Sequence, residues 1–278
     1  MQPKAKEIER IIKMSLTEDV GKGDITSNIT IPEDVETVFC IRARHEMIAC
    51  GAQIAALVFK TVSKSVNIDV KCKDGEVLNA GDIILEGQGN ARAILAAERV
   101  ALNLLRHMCG VSTLSNKFVQ KVAGTKAKIL DTRKTIPGLR SLQKYAVVVG
   151  GAQNHRYCLD DAILIKDNHI SVCGGVAKAV KKAKDANTGL KIEVECDTLE
   201  QVKEALSAMP DIIMLDNMSL DNMRQAVQMV SGKVLLEASG NVNLDTVADI
   251  AKTGVDYISA GIITNCPVSV DIGLDIDF

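Results

Sequence analysis

From about residue 112 onward, six short apolar runs alternate with helical segments, and this rhythm constrains the chain more than any other feature. The runs are "AKIL" (127–130), "AILI" (162–165), "KIEVE" (191–195), "DIIML" (211–215), "KVLLE" (233–237) and "DYIS" (256–259). Between the later ones lie "VAKAVKKAKDA", "LEQVKEALSAM", "LDNMRQAVQMV" and "LDTVADIAKTG", each with apolar residues at helical spacing. A strand, a helix and a further strand in this order pair in parallel through right-handed crossovers. The options are therefore a βα barrel or an open doubly wound sheet.

The polar residues that end each run favour the barrel. Asp131, Thr132, Arg133 and Lys134 follow the first run, and Lys166, Asp167, Asn168 and His169 the second. Glu193 and Glu195 end the third, Asp216 and Asn217 the fourth, Glu237, Ser239 and Gly240 the fifth, and Ser259 with Gly261 the sixth. In a barrel the C-terminal ends of all strands surround one mouth, whereas an open sheet spreads them along a line. The segment is short for eight strands, which occupy about 250 residues, so an incomplete barrel is expected.

The tips carry two kinds of charge. Arg133, Lys134, Arg156 and Lys166 are cations; Glu195, Asp216 and Glu237 are anions. Arginine forks suit carboxylates and phosphates, lysine supplies a movable point charge, and oxygen ligands suit Mg²⁺. A polyanion plus a metal is the implied ligand set. The plainer alternatives are solvated loop cations, a hydrogen-bonded structural His155, and Glu195 and Asp216 as helix caps. Ser239-Gly240 and Gly261 read either as simple turns or as glycine tips that let backbone N–H groups approach a phosphate.

Up to about residue 90 the pattern mixes types. Ile8, Ile11, Ile12 and Leu16 mark one face of an opening helix, "VFCIRARHEMIAC" alternates like a strand, and "GAQIAALVFKTV" returns to helix. "VNIDVKCKDGEVL" alternates up to a Lys-Asp-Gly turn signal, which predicts a small antiparallel sheet. "ARAILAAERVALNLLRHM" is a long apolar helix with Arg99, Asn103 and Arg106 on one polar stripe, and is expected to bridge two domains.

With 278 residues the chain can bury a large core without staples. No Trp, four Phe and three Tyr leave that core to aliphatic side chains. The net charge of -2 gives no reason to expect nucleic acid or an anionic membrane as partner. Eight scattered cysteines form no C-x-x-C pair and read as buried, reduced thiols. The N-terminal stretch lacks a signal peptide's apolar core, and no segment approaches the ~18 to 20 apolar residues that span a bilayer. A cytoplasmic soluble protein is expected.

"DTRKTIPGLR" (131–140), "GGAQNHR" (150–156), "LIKDNH" (164–169), "IEVE" (192–195), "MLDNMS" (214–219), "LEASGNV" (236–242) and "DYISAGIIT" (256–264) complete the picture. In order and spacing they resemble the quinolinate phosphoribosyltransferase family, also called nicotinate-nucleotide pyrophosphorylase (carboxylating). The resemblance extends through "LTEDVGKGDITS" (16–27) and "AAERVALNLLRHMCGVST" (96–113), so it covers nearly the whole chain. It implies an α/β fold: an N-terminal α/β sandwich domain over residues 1–110, joined by the tail 267–278, and an incomplete βα barrel of about seven strands over 111–266. It also implies a homodimer and phosphoribosyl transfer from phosphoribosyl pyrophosphate to quinolinate, with loss of CO₂ and a requirement for Mg²⁺.

On that resemblance, Arg133, His155 and Arg156 would grip the quinolinate carboxylates, and Lys134 and Lys166 would lie near the reacting groups and phosphates. Glu195 and Asp216 would stand beside the ribose and bind Mg²⁺, directly or through water; Lys134, Lys166, Glu195 and Asp216 form the catalytic set. Ser239, Gly240 and Gly261 would face the 5′-phosphate, with Thr132 and Ser259 completing the binding set. Arg99 would reach into a neighbouring subunit's site. Two positions depart from the family's "AVRCGGG.NHR": Val148 replaces the arginine, and Ala152 the third glycine. Val148 signals either a changed acid preference or a lost structural ion pair; Ala152 requires a backbone that avoids positive φ. The rival readings are a paralogous phosphoribosyltransferase for another aromatic acid, a Schiff-base lyase using Lys166, and a non-catalytic homologue.

Overall fold

The computed structural model describes residues 2–276. Along the chain come α1 (Ala5–Val20), α2 (Ile25–Thr30), β1 (Glu36–Ala43), β2 (Met47–Ile48), α3 (Ala52–Val62), β3 (Asn67–Val70), β4 (Val77–Leu78), β5 (Ile83–Asn90) and α4 (Ala91–Lys121). Then follow β6 (Lys128–Leu130), α5 (Arg140–Val149), β7 (Ile163–Ile165), α6 (Asp167–Cys173), α7 (Val176–Asp185), β8 (Ile192–Cys196), α8 (Leu199–Ala208), β9 (Ile212–Asp216), α9 (Leu220–Val230), β10 (Leu235–Ser239), α10 (Val247–Ala251), β11 (Tyr257–Ser259), α11 (Ile262–Asn265) and β12 (Ile272–Ile276).

Two compact units result. The first takes residues up to 116, 135–151 and from 266 on; the second takes 117–134 and 152–265. Relative to the expected boundary near residue 110, α4 runs five residues into the second unit, and the segment holding α5 belongs to the first.

The first unit is built on an antiparallel sheet in the order β12-β1-β5-β3. Helix α3 packs on β3 and β5, and α1 on α3. Phe39 of β1 and Phe59 of α3 are fully buried with ring centroids 4.9 Å apart, a pair that fixes helix against sheet. Ile11 and Ile12 of the opening helix are buried, whereas Leu16 is only partly so. The Lys-Asp-Gly turn does not close a hairpin: β3 pairs with β5, and β4 pairs with β2 in a separate ribbon. The tail adds β12 to the edge of β1, from Ile272 opposite Ala43 to Ile276 opposite Phe39; residues 277–278 lie outside the described residues. The approach of this tail needs Gly110, because a Cβ there would fall 2.3 Å from the Val268 carbonyl oxygen.

The second unit holds six parallel strands in the order β6-β11-β10-β9-β8-β7. All six expected runs form these strands within one or two residues at each end. A one-residue parallel bridge, Leu130 to Gln153, adds a seventh position beside β6. Side chains alternate between faces at period two. Val194, Cys196, Ile213, Leu215, Leu236 and Ala238 are buried on one face, while Glu193, Glu195, Met214, Asp216, Glu237 and Ser239 share the other. The crossover helices begin where local chemistry dictates. Thr198 accepts the Gln201 N–H at 3.2 Å and donates its own N–H to Gln201 Oε1 at 3.1 Å, a reciprocal cap worth about 1 kcal/mol. Ser219 caps α9 through the Asn222 N–H. The last expected helix, 244–254, is reduced to α10.

The stretch "AVVVGG" is only partly the buried helix end that its apolarity suggests. Val147 is buried in α5, but Val148 is 42% exposed, so the position that departs from the family pattern faces outward. Gly151 adopts φ +91°, and the buried Ala152 is not among the positive-φ residues, which is why a methyl is accepted there.

Candidate functional site

The strand tips of the second unit surround a cavity of about 290 Å³. Thr132, Arg133, Lys134, His155, Arg156, Lys166, Ser239 and Ser259 line it, together with Leu164, Met214 and Glu237. Eight of the residues proposed from sequence therefore meet at one place. Leu164 and Met214 supply the apolar walls; nothing in the sequence separates them from core residues, since only strand register turns them inward.

The first tip is held by Asp131, which is fully buried at the end of β6. Its carboxylate accepts the Asn154 amide at 2.7 Å and the His155 N–H at 2.8 Å. The segment "NHR" is thereby fixed against β6, and Gln153 completes the contact through its carbonyl. A second tie joins Thr132 to Lys134, whose N–H donates to Thr132 Oγ1 at 3.0 Å; the Lys134 carbonyl in turn accepts from Thr264 at 2.8 Å. Gly261 sits beside them, where a Cβ would lie 3.3 Å from Lys134 Cδ.

His155 directs both ring nitrogens into the protein. Nδ1 accepts the Arg156 N–H at 2.8 Å, which assigns the neutral ring's proton to Nε2. Nε2 then lies 3.0 Å from Glu193 Oε2 and 3.6 Å from Glu237 Oε2. Both carboxyls are buried. Burial, and then the charge of Glu193, push the Glu237 carboxyl up to about 8, with His155 and the Ser259 hydroxyl pulling the other way. Two carboxyls in a dry interior do not both ionise at neutral pH. The three side chains offer ligand atoms within 4.8 Å of one another, but a ring whose Nδ1 accepts a backbone N–H and whose Nε2 keeps its proton cannot ligate a metal.

Arg156 is half-buried and donates to the Ala162 carbonyl at 3.1 Å. Desolvation, then the like charge of Arg133, lower its pKa, and Glu193 opposes them; an arginine remains cationic through such shifts. Lys166 ends β7, and its ammonium pairs with Glu195 of the neighbouring β8. The Lys166 N–H donates to His169 Nδ1 at 3.0 Å, fixing the strand-to-helix turn. An ion-paired lysine whose side chain is 45% exposed lacks the desolvated setting that a Schiff-base nucleophile requires.

A second acidic group stands at the mouth. Glu195, Asp197 and Asp216 place carboxylate oxygens within 4.8 Å of one another. Asp197 had no role from sequence; it lies one residue past β8 and is exposed. Asp216 pairs in register with Ser239, whose strand leads into Gly240. Arg99 is exposed on α4, in the first unit.

An incomplete parallel α/β barrel whose strand tips bring four cations to one cavity defines a barrel enzyme with a site suited to an anionic ligand. Comparison with known proteins makes this specific. Residues 24–109 match the family profile described as quinolinate phosphoribosyl transferase, N-terminal domain, and residues 111–275 match its C-terminal domain. The chain belongs to the quinolinate phosphoribosyl transferase family. It is 42% identical over 281 residues to the probable nicotinate-nucleotide pyrophosphorylase (carboxylating) of Methanocaldococcus jannaschii, covering 96% of each chain. To the protein of the same description from Bacillus subtilis it is 40% identical over 274 residues, covering 97% of this chain and 93% of that one. The solved nicotinate-nucleotide pyrophosphorylase of Francisella tularensis superposes with a TM-score of 0.95 at 43% identity, over 99% of this chain and 98% of that chain.

Proposed function

We propose that the protein transfers the phosphoribosyl group of phosphoribosyl pyrophosphate to quinolinate with decarboxylation, giving nicotinate mononucleotide, pyrophosphate and CO₂. The observation that carries this reading is the convergence of Arg133, Lys134, Arg156 and Lys166 on one cavity, with the Glu195 carboxylate paired to Lys166 and Asp216 close to Glu195. Family membership favours it over another aromatic acid, a Schiff-base lyase or a non-catalytic role.

Arg133 and Arg156 bind the two carboxylates of quinolinate through their forks. His155, with both nitrogens engaged by the protein, forms wall and support for that end rather than a direct grip. The pyridine nitrogen attacks the anomeric carbon of the ribose as the bond to pyrophosphate breaks. Positive charge develops on the ribose in that step, and Glu195 and Asp216 stabilise it. Lys134 and Lys166 face the departing phosphates. Ser239, Gly240 and Gly261 offer hydroxyl and backbone donors to the 5′-phosphate. Once alkylated, the ring nitrogen is an electron sink: the adjacent carbon–carboxylate bond breaks, its electron pair stays on the ring carbon, and a proton takes the place of CO₂.

The oxygen donors of Glu195, Asp197 and Asp216 suit Mg²⁺ in number and hardness. Held by these carboxylates, the ion would supply positive charge opposite the pyrophosphate. A homodimer in which the exposed Arg99 serves the neighbouring subunit's site is part of the same proposal. A cytoplasmic setting fits eight free cysteines, and among the described residues no helix is long and apolar enough to cross a membrane. Incubation with quinolinate, phosphoribosyl pyrophosphate and Mg²⁺ tests the reaction. Nicotinate mononucleotide, pyrophosphate and CO₂ are expected in equal amounts; turnover of a different pyridine acid in preference to quinolinate would overturn it.

A further inference from the structure

The tips of β9 and β10 are clasped by one side chain that the scheme above does not use. Asn217 follows Asp216 in left-handed backbone, at φ +52°. Both ends of its amide are occupied: Nδ2 donates to Asp216 Oδ2 at 2.8 Å, and Oδ1 accepts from Asn241 Nδ2 at 3.0 Å. Its backbone N–H donates to the Ser239 carbonyl at 2.9 Å. The partner turn is left-handed as well, with Gly240 at φ +94° and Asn241 at φ +49°. The amide lies directly on Gly240, where a Cβ would fall 2.2 Å from Asn217 Oδ1 and 2.9 Å from its backbone nitrogen. Few residues satisfy this position. Asparagine tolerates left-handed backbone while donating and accepting at once; glycine keeps only the backbone, aspartate loses the donor, and alanine loses both.

We propose that Asn217 is a positioning residue for the phosphate end of the site: its amide locks the Asp216 carboxylate to the Ser239–Asn241 turn, so that the turn's donors and Asp216 face one phosphorylated ribose together. The side chain acts through its neighbours and need not touch the ligand. This rests on the reading that the cavity takes a phosphoribosyl donor.

The test uses the full-length protein and Asn217→Gly, which keeps the left-handed backbone and removes the amide. Ribose 5-phosphate binding by calorimetry needs no turnover; KM values for phosphoribosyl pyrophosphate and quinolinate are measured beside it. Losing hydrogen bonds that order a charged group predicts about tenfold weaker ribose 5-phosphate binding and about tenfold higher KM for phosphoribosyl pyrophosphate. The KM for quinolinate should stay within about twofold, and the unfolding temperature should hold. Asn241→Ala, which removes one half of the clasp, should give a smaller effect in the same direction. An Asn217→Gly protein with unchanged ribose 5-phosphate affinity overturns the proposal, and so does an equal rise in both KM values with a lower unfolding temperature. Wild-type protein that binds ribose 5-phosphate but leaves quinolinate unconverted would sink the reaction assigned above, while the binding arm still decides the clasp. Wild-type protein that binds neither phosphate would overturn both.

Discussion

Two acidic groups stand two residues apart on the same strand, and their difference explains the site. Glu193 shares the dry interior with His155 and Glu237, whereas Glu195, also buried, is paired with Lys166 and lies beside the exposed Asp197 and the half-buried Asp216. Both come from "IEVE" and point to the same face of β8. One step of two residues moves a carboxylate by about 6.6 Å along the strand, from the buried ring of His155 to the half-exposed ammonium of Lys166. The inner group holds the histidine and its attached arginine; the outer group holds Lys166 and opens onto the exposed Asp197.

The sharpest break of this comparison is at the rim. Glu195→Gln or Asp216→Asn should cost about 10² to 10³ in kcat, with little change in unfolding temperature; a loss of folding instead would place the rim carboxylates with the inner group. Next come the cations: Arg133→Ala or Arg156→Ala should raise the KM for quinolinate by about ten- to a hundredfold, as expected for a charged hydrogen bond of about 1.5–3 kcal/mol. The KM for phosphoribosyl pyrophosphate should change much less, and equal losses on both would remove these arginines from the acid end.

The inner group should respond in the opposite manner. Glu193→Ala leaves the His155 Nε2–H buried without its acceptor, a loss of about 1–3 kcal/mol in stability that chemical denaturation would detect. The last test concerns pH. A carboxyl raised from 4.5 to about 8 on folding contributes stability that is fully present below pH 4.5. That contribution declines as the unfolded chain ionises and is gone above about pH 8. Unfolding measured from pH 5 to 9 should show this decline in the wild-type protein and a flatter profile in Glu237→Gln; identical slopes would mean that Glu237 titrates normally.

Much of this was legible in the chain. Six apolar runs became six parallel strands, because a strand–helix–strand alternation leaves the backbone few other ways to pair. Arg133, Lys134 and Lys166 were recognisable because each follows a strand and strand ends share a mouth, whereas Arg156 stood out only within "NHR". The chain did not disclose that Lys73-Asp74-Gly75 joins two different sheets, because pairing partners for β3 and β4 come from elsewhere in the sequence. Nor did it show that His155 faces inward, since "NHR" reads the same whichever way the ring turns. Asp197 carried no signal, and Asn217 showed only as a polar residue ending the fourth run: their places depend on backbone that turns just past β8 and β9.

Local sequence thus determined which segments are strands and helices, and which residues end them, because period and capping act over a few neighbouring residues. Only the tertiary structure decided depth. Whether a carboxylate at a strand end becomes the partner of a histidine or of a lysine depends on the register between strands and on what closes over them, and those contacts join residues far apart in the chain.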